Sequence, residues 1–123
     1  MTAEQFRSMA LALPEAQERE HKGHPDFRVG DKIFATLGYP DSEWGMVKLY
    51  PDQQKDFVAA APKMFTPVKG KWGQQGCTNV RLKAATRARV KTALYAAWRI
   101  AAVKAAKQSL EAKPKRRKAA QAV

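Results

Sequence analysis

The stretch His21–Leu37, HKGHPDFRVGDKIFATL, decides the fold. Phe27–Val29 and Lys32–Leu37 are rich in aromatic and β-branched residues, with Gly30-Asp31 between them. Glycine accepts the positive φ that a tight hairpin turn demands, so the stretch predicts strand, turn, strand. A two-residue turn sets Phe27 beside Phe34 on one face. A three-residue loop sets Val29 beside Ile33 instead. A slip of one residue exchanges the two faces, and the pattern leaves both registers open.

Working outward, Gln17–Lys22 is polar and extended and predicts a first strand. Upstream, Thr2-Ala3-Glu4-Gln5 has the form of a capping box, in which the hydroxyl and the Gln side chain serve the free amides of a first helical turn. Phe6, Met9, Ala10 and Leu13 follow at helical spacing. Pro14 ends the run, because it bars Leu13 from helical geometry. Downstream, Gly38–Glu43 is a polar loop. Trp44–Tyr50 predicts a strand with Met46 or Val47 inward. Pro51-Asp52 opens a short helix with Phe57, Val58 and Ala61 on its apolar side, closed by Pro62. Phe65–Gly76, FTPVKGKWGQQG, reads as a Gly-rich loop, and Thr78–Leu82 as a strand with Val80 and Leu82 inward. From about Thr86 a long helix carries Val90, Leu94, Ala97, Trp98 and Ala101 on one stripe. This order predicts one α+β domain over residues 1–106, its helices on one face of a twisted antiparallel sheet. Past it, Lys113-Pro114-Lys115-Arg116-Arg117-Lys118 has no apolar side, so residues 107–123 are expected to form a basic, disordered tail.

The chain has 123 residues, 45% of them apolar, which suffices for one core. Its formal charge is +12, half of it on Lys104–Val123. Such a balance attracts polyanions, nucleic acid foremost and an anionic membrane surface second. The tail lacks the lipidation signal or bulky apolar residues of a membrane contact, and its Ala-Lys composition favours a nucleic-acid arm. The single cysteine, Cys77, excludes an internal disulfide and a Cys-based metal site. The N-terminal residues MTAEQFRSMALALPEAQ have no secretory pattern, and no run reaches the roughly 18 apolar residues of a membrane span. A cytoplasmic protein is expected.

The two histidines, His21 and His24, are the obvious candidates for a metal pair or a general base. Their i, i+3 spacing suits a helix, which Gly23 and Pro25 oppose. Only Asp26 or Glu20 lies near as a third ligand, so the plainer expectation is a pair on strand ends bonded to backbone groups. Gly70-Lys71-Trp72-Gly73 lacks the ending of a P-loop, and matches the GXXG clamp of KH domains only in letters. Lys69 and Lys71 beside Trp72 suit a phosphate backbone with the indole on a base. Against this, Trp72 folding back to cap the sheet is the simpler expectation. Cys77 reads as a buried structural thiol. Arg81, Lys83, Arg87, Arg89 and Lys91 cluster around the last strand and helix start.

Ala10–Pro14, His21–Leu37, Val47-Lys48-Leu49, Phe65–Gly76 and Ala97-Trp98 together resemble, in order, the MmcQ/YjbR family of small bacterial proteins, over roughly residues 3–101. The resemblance implies a frataxin-like (CyaY-like) fold and a DNA-binding role through wing-like hairpins. It supplies no catalytic residues. His21, Gly23, Pro67, Gly70, Trp72 and Gly76 belong to the shared pattern and suit fold constraints as well as a site. The chain departs from that pattern at Ala85-Thr86, where relatives have an acid, and in the basic tail after Gln108. The acidic ridge that would bind iron in a frataxin-like protein is not evident.

The reading that follows is a monomeric, low-specificity DNA-binding protein without cofactor, metal or catalytic residue. Its contacts are expected to come from Lys69, Lys71, Arg81 and Lys83, and from Lys115, Arg116, Arg117 and Lys118 of the tail. A protein-interaction module is the second possibility. The third is a small-ligand protein or enzyme using His21 and His24, which requires both imidazoles to converge on one pocket with another polar group.

Overall fold

The computed structural model describes the backbone of residues 1–122 and the side chains of residues 1–110. The first helix, α1 (Ala3–Leu11), carries the capping box expected of it: Gln5 N donates to Thr2 Oγ1 at 3.1 Å, and Thr2 N to Gln5 Oε1 at 2.9 Å. Six strands follow, β1 (Gln17–His21), β2 (His24–Val29), β3 (Lys32–Leu37), β4 (Trp44–Lys48), β5 (Phe65–Pro67) and β6 (Cys77–Arg81). They form one antiparallel sheet in the order β1-β2-β3-β4-β6-β5. Helix α2 (Pro51–Ala60) packs at the β5–β6 edge, with Phe57 edge-on to Phe65 at 5.2 Å. A one-turn helix, α3 (Lys71–Gln74), precedes β6, and a 3₁₀ turn, Leu82–Ala84, leads to α4 (Arg87–Ala122). Among the described residues no helix is long and apolar enough to cross a membrane.

Gly30-Asp31 makes a two-residue turn, with Val29 opposite Lys32 and Arg28 opposite Ile33. Neither simple register then continues. A β-bulge intervenes, and Phe27 faces Ala35 instead of Phe34. The extra residue lets Phe34 and Ala35 both face inward, fully buried, while Ile33 and Thr36 point the other way. The sequence shows no alternation that would announce this, because the bulge interrupts the period of two.

One face of the sheet is therefore apolar. Phe27, Val29, Phe34, Ala35, Leu37, Val47 and Val80 pack under α1 and α4, whose Phe6, Ala10, Val90, Leu94, Ala97 and Ala101 fill the layer. Each large buried side chain contributes about 1.5–3 kcal/mol of transfer free energy. Val47, not Met46, is the inward residue of β4. Trp98 is half-buried on the α4 stripe, and its indole N–H donates to Pro14 O at 2.9 Å, pinning α4 to the end of α1. Thr86 caps α4, its hydroxyl accepting from Arg89 N at 3.4 Å.

Two expectations need correction. Phe65–Gly76 is not simply loop: it contains β5 and α3, because Phe65 pairs with Val80 and Gly73 lets α3 close against Val68. The strand expected over Gln17–Lys22 ends at His21, because Lys22 and Gly23 form a second tight hairpin turn between His21 and His24. Lys22 and Gly23 both take positive φ, 52° and 82°, the type I′ geometry of two-residue turns. Of the tail expected from residue 107, Lys107–Leu110 continue α4. The side chains of residues 111–123, with Lys115, Arg116, Arg117 and Lys118, lie outside the described residues.

Candidate functional site

Among the described residues, α1 and α4 pack on the apolar face of the sheet, and the one-turn α3 borders the second face at the rim. Cross-strand partners share a face, so the register lays out a row across it: Arg19, Asp26, Thr36, Met46, Asn79 and Thr66. Trp44 and Arg81 stand opposite each other beside that row, as do Lys48 and Cys77.

The type I′ turn puts His21 opposite His24 on this free face. The i, i+3 spacing that suits a helix here belongs to a hairpin, whose flanking residues have Cβ atoms about 5 Å apart. Both imidazoles line one cavity of about 760 Å³. Its floor is Asp26, Ile33, Thr36, Met46, Cys77 and Asn79; its rims are Lys22 and Tyr39-Pro40 on one side and Val68, Lys69 and Trp72 on the other, with Lys48. His24 meets Tyr39 edge-on at 5.8 Å. Among the described residues neither imidazole has a hydrogen-bond partner in the protein, so the expected bonds to backbone are not made. The two rings do converge on a pocket with other polar groups.

The electrostatics of the cavity are cationic. Asp26 is fully buried, and its carboxylate accepts from Arg28 Nε at 2.7 Å and Arg28 Nη2 at 3.0 Å. That bidentate bond raises the Arg28 pKa above its ordinary value. The one acid lining the cavity is thereby matched by its own cation, and among the described residues Lys22, Lys48 and Lys69 around it form no salt bridge. Lys48 Nζ lies 5.7 Å from the centre of the Trp72 ring. Trp72 is 61% exposed at the rim, so it borders the sheet face without closing it. Cys77 is buried in the floor, and burial pushes its thiol pKa up, the inert state expected of it. Among the described residues no three His, Cys, Asp or Glu side chains gather as a metal site requires.

A second, more open concavity of about 470 Å³ lies on the same face, lined by Trp44, Lys63, Thr66, Arg81 and Lys83. The Arg81 guanidinium sits 5.8 Å from the Trp44 ring centre. Lys83 is 3.5 Å from Glu43, an exposed pair of little weight. Of the expected contact residues, Lys69 borders the first cavity, while Arg81 and Lys83 line the second. Lys71 is exposed on α3 and lines neither. The sequence reading missed Lys22, Lys48, Lys63 and Trp44. Lys48 and Trp44 were legible: they alternate with buried Gly45 and Val47 along β4 and so mark its outward side.

A family model described as YjbR matches residues 11–100. No curated protein and no solved structure matches the chain.

Proposed function

The chain belongs to the YjbR family, and from the surface its fold leaves open we propose that it is a low-specificity DNA-binding protein, not an enzyme, acting in the cytoplasm as a monomer. One observation carries this reading. The face of the sheet opposite α1 and α4 presents Lys48, Lys69, Arg81 and Lys83 around two tryptophans, while its buried acid, Asp26, is spoken for by Arg28. Lysine and arginine on such a face neutralise phosphates whatever the sequence, and exposed indoles add stacking surface. Lys71 extends the basic rim, and the charge of the tail, with Lys115–Lys118, adds to the same attraction.

The test is duplex-DNA affinity as a function of salt, for the full chain and for a version ending at Lys107. Each phosphate contact contributes about 0.9 to the slope of log K against log salt. The folded domain is expected to bind near physiological salt, and Lys69→Ala with Arg81→Ala to lower the slope by about 1.8. Binding that vanishes with the tail, or a slope unmoved by those substitutions, refutes duplex binding by the sheet face.

A further inference from the structure

We propose that the cavity beside His21 and His24 is a pocket for a single unpaired nucleotide, so that the protein prefers single-stranded or unpaired nucleic acid to duplex. This rests on the nucleic-acid reading above and specifies which form of the ligand the site takes. Three observations lead to it.

The first is shape. The cavity is concave, about 760 Å³, and walled by the His21–His24 hairpin end on one side and the Val68–Trp72 segment on the other. Paired bases are stacked inside a duplex and present only groove edges and backbone. An unpaired base projects from its backbone and fills a concave site.

The second is the lining. Tyr39 and Trp72 stand on the rims, 62% and 61% exposed, and offer aromatic faces to a planar ring. Met46 and Ile33 give an apolar floor. On either side of Met46, the Thr36 hydroxyl and the Asn79 carboxamide have no hydrogen-bond partner in the protein, and no buried side-chain polar atom is left unsatisfied, among the described residues. Both groups are therefore free to meet the polar edge of a base. An amide and a hydroxyl can each donate or accept, so the pocket imposes no strict choice of base.

The third is charge placement. Lys22, Lys48 and Lys69 surround the cavity, so the phosphates flanking an inserted base meet cations at its mouth. The Asp26 carboxylate in the floor does not repel them with an unmatched charge, because Arg28 holds both of its oxygens. A purely apolar ligand would leave these lysines unused, and a bare inorganic anion would leave the aromatic rims and apolar floor unused. A nucleotide uses both.

The experiment compares three probes of equal length by anisotropy with the full chain: a labelled thymidine oligonucleotide, its abasic counterpart with the same phosphates, and a duplex. The basic tail attracts equally charged single strands alike, so the ratio of base-bearing to abasic affinity reports the pocket. Stacking of one base is expected to favour the base-bearing strand by about tenfold. Trp72→Ala should reduce that ratio towards one, and Asn79→Ala should lower it, while Arg81→Ala weakens both single strands together. Trp72 is exposed, so its removal leaves the core intact; circular dichroism verifies this. Equal affinity for base-bearing and abasic strands overturns the pocket while leaving phosphate binding standing. A ratio above one that survives Trp72→Ala and Asn79→Ala also overturns it, because the base is then held elsewhere. Failure of all three probes to bind at physiological salt overturns the pocket and the nucleic-acid reading together.

Discussion

Replacing Gly73 by alanine sets two physical effects against each other. Gly73 sits inside α3, where helix propensity alone favours alanine over glycine by about 1 kcal/mol. The surroundings oppose it. A Cβ built on Gly73 falls 1.6 Å from the Val68 carbonyl oxygen and 2.7 Å from its carbon. Both are backbone atoms with no flexible end to swing aside. To reach 3.0 Å from that oxygen, the Cβ must retreat by about 1.4 Å. Two tethers resist the retreat. Gln54 Nε2 donates to Gly73 O at 3.0 Å and to Cys77 O at 2.9 Å, joining α2 to α3 and β6, and Val68 N donates to Cys77 O at 3.0 Å. Losing about two such bonds, with the packing around them, costs about 2–4 kcal/mol and outweighs the propensity gain. Urea unfolding followed by far-UV circular dichroism reads the difference as a lower midpoint at constant slope. Gly70→Ala separates the two effects: Gly70 has φ 79° and ψ −153°, a region essentially reserved for glycine, but its added Cβ meets no non-neighbouring atom within 4 Å, so backbone strain of about 1–3 kcal/mol applies without a clash. A Gly73→Ala protein as stable as the parent, or more so, refutes the close approach of α3 to Val68. It would also undercut the placement of Trp72 and Lys69, which flank that contact.

Two further outcomes follow from the buried groups of the sheet face. Arg28→Ala strands the Asp26 carboxylate in its buried position and is expected to cost about 3 kcal/mol, measured by the same urea titration. A change below about 0.5 kcal/mol would mean that Asp26 is not held by Arg28. Cys77, whose thiol is buried and pushed up in pKa, is expected to resist iodoacetamide at neutral pH and to react freely in urea. Rapid alkylation of the folded protein would show that the cavity floor is open.

Much of the architecture was legible because it is local. The capping box at Thr2–Gln5, the turn at Gly30-Asp31 and the Val90–Ala101 stripe are set by residues a few positions apart. The α+β class follows from their order, and the family from motifs spread along the chain. The tertiary structure decided the register and, with it, the site. The bulge at Phe34 turns both Phe34 and Ala35 into the core shared with α1 and α4, a placement the pattern of the single strand does not record. The pairing of His21 with His24 depends on a turn whose first central residue, Lys22, takes a positive φ uncommon for its type. Lys69 and Trp72 share a cavity with the histidines because β3, β4 and β6 lie between them in the sheet and carry its floor. Periodicity and turn chemistry act over short stretches of chain and can be read from it. Which side chains share a face across six strands is settled by burial, and burial is a property of the whole fold.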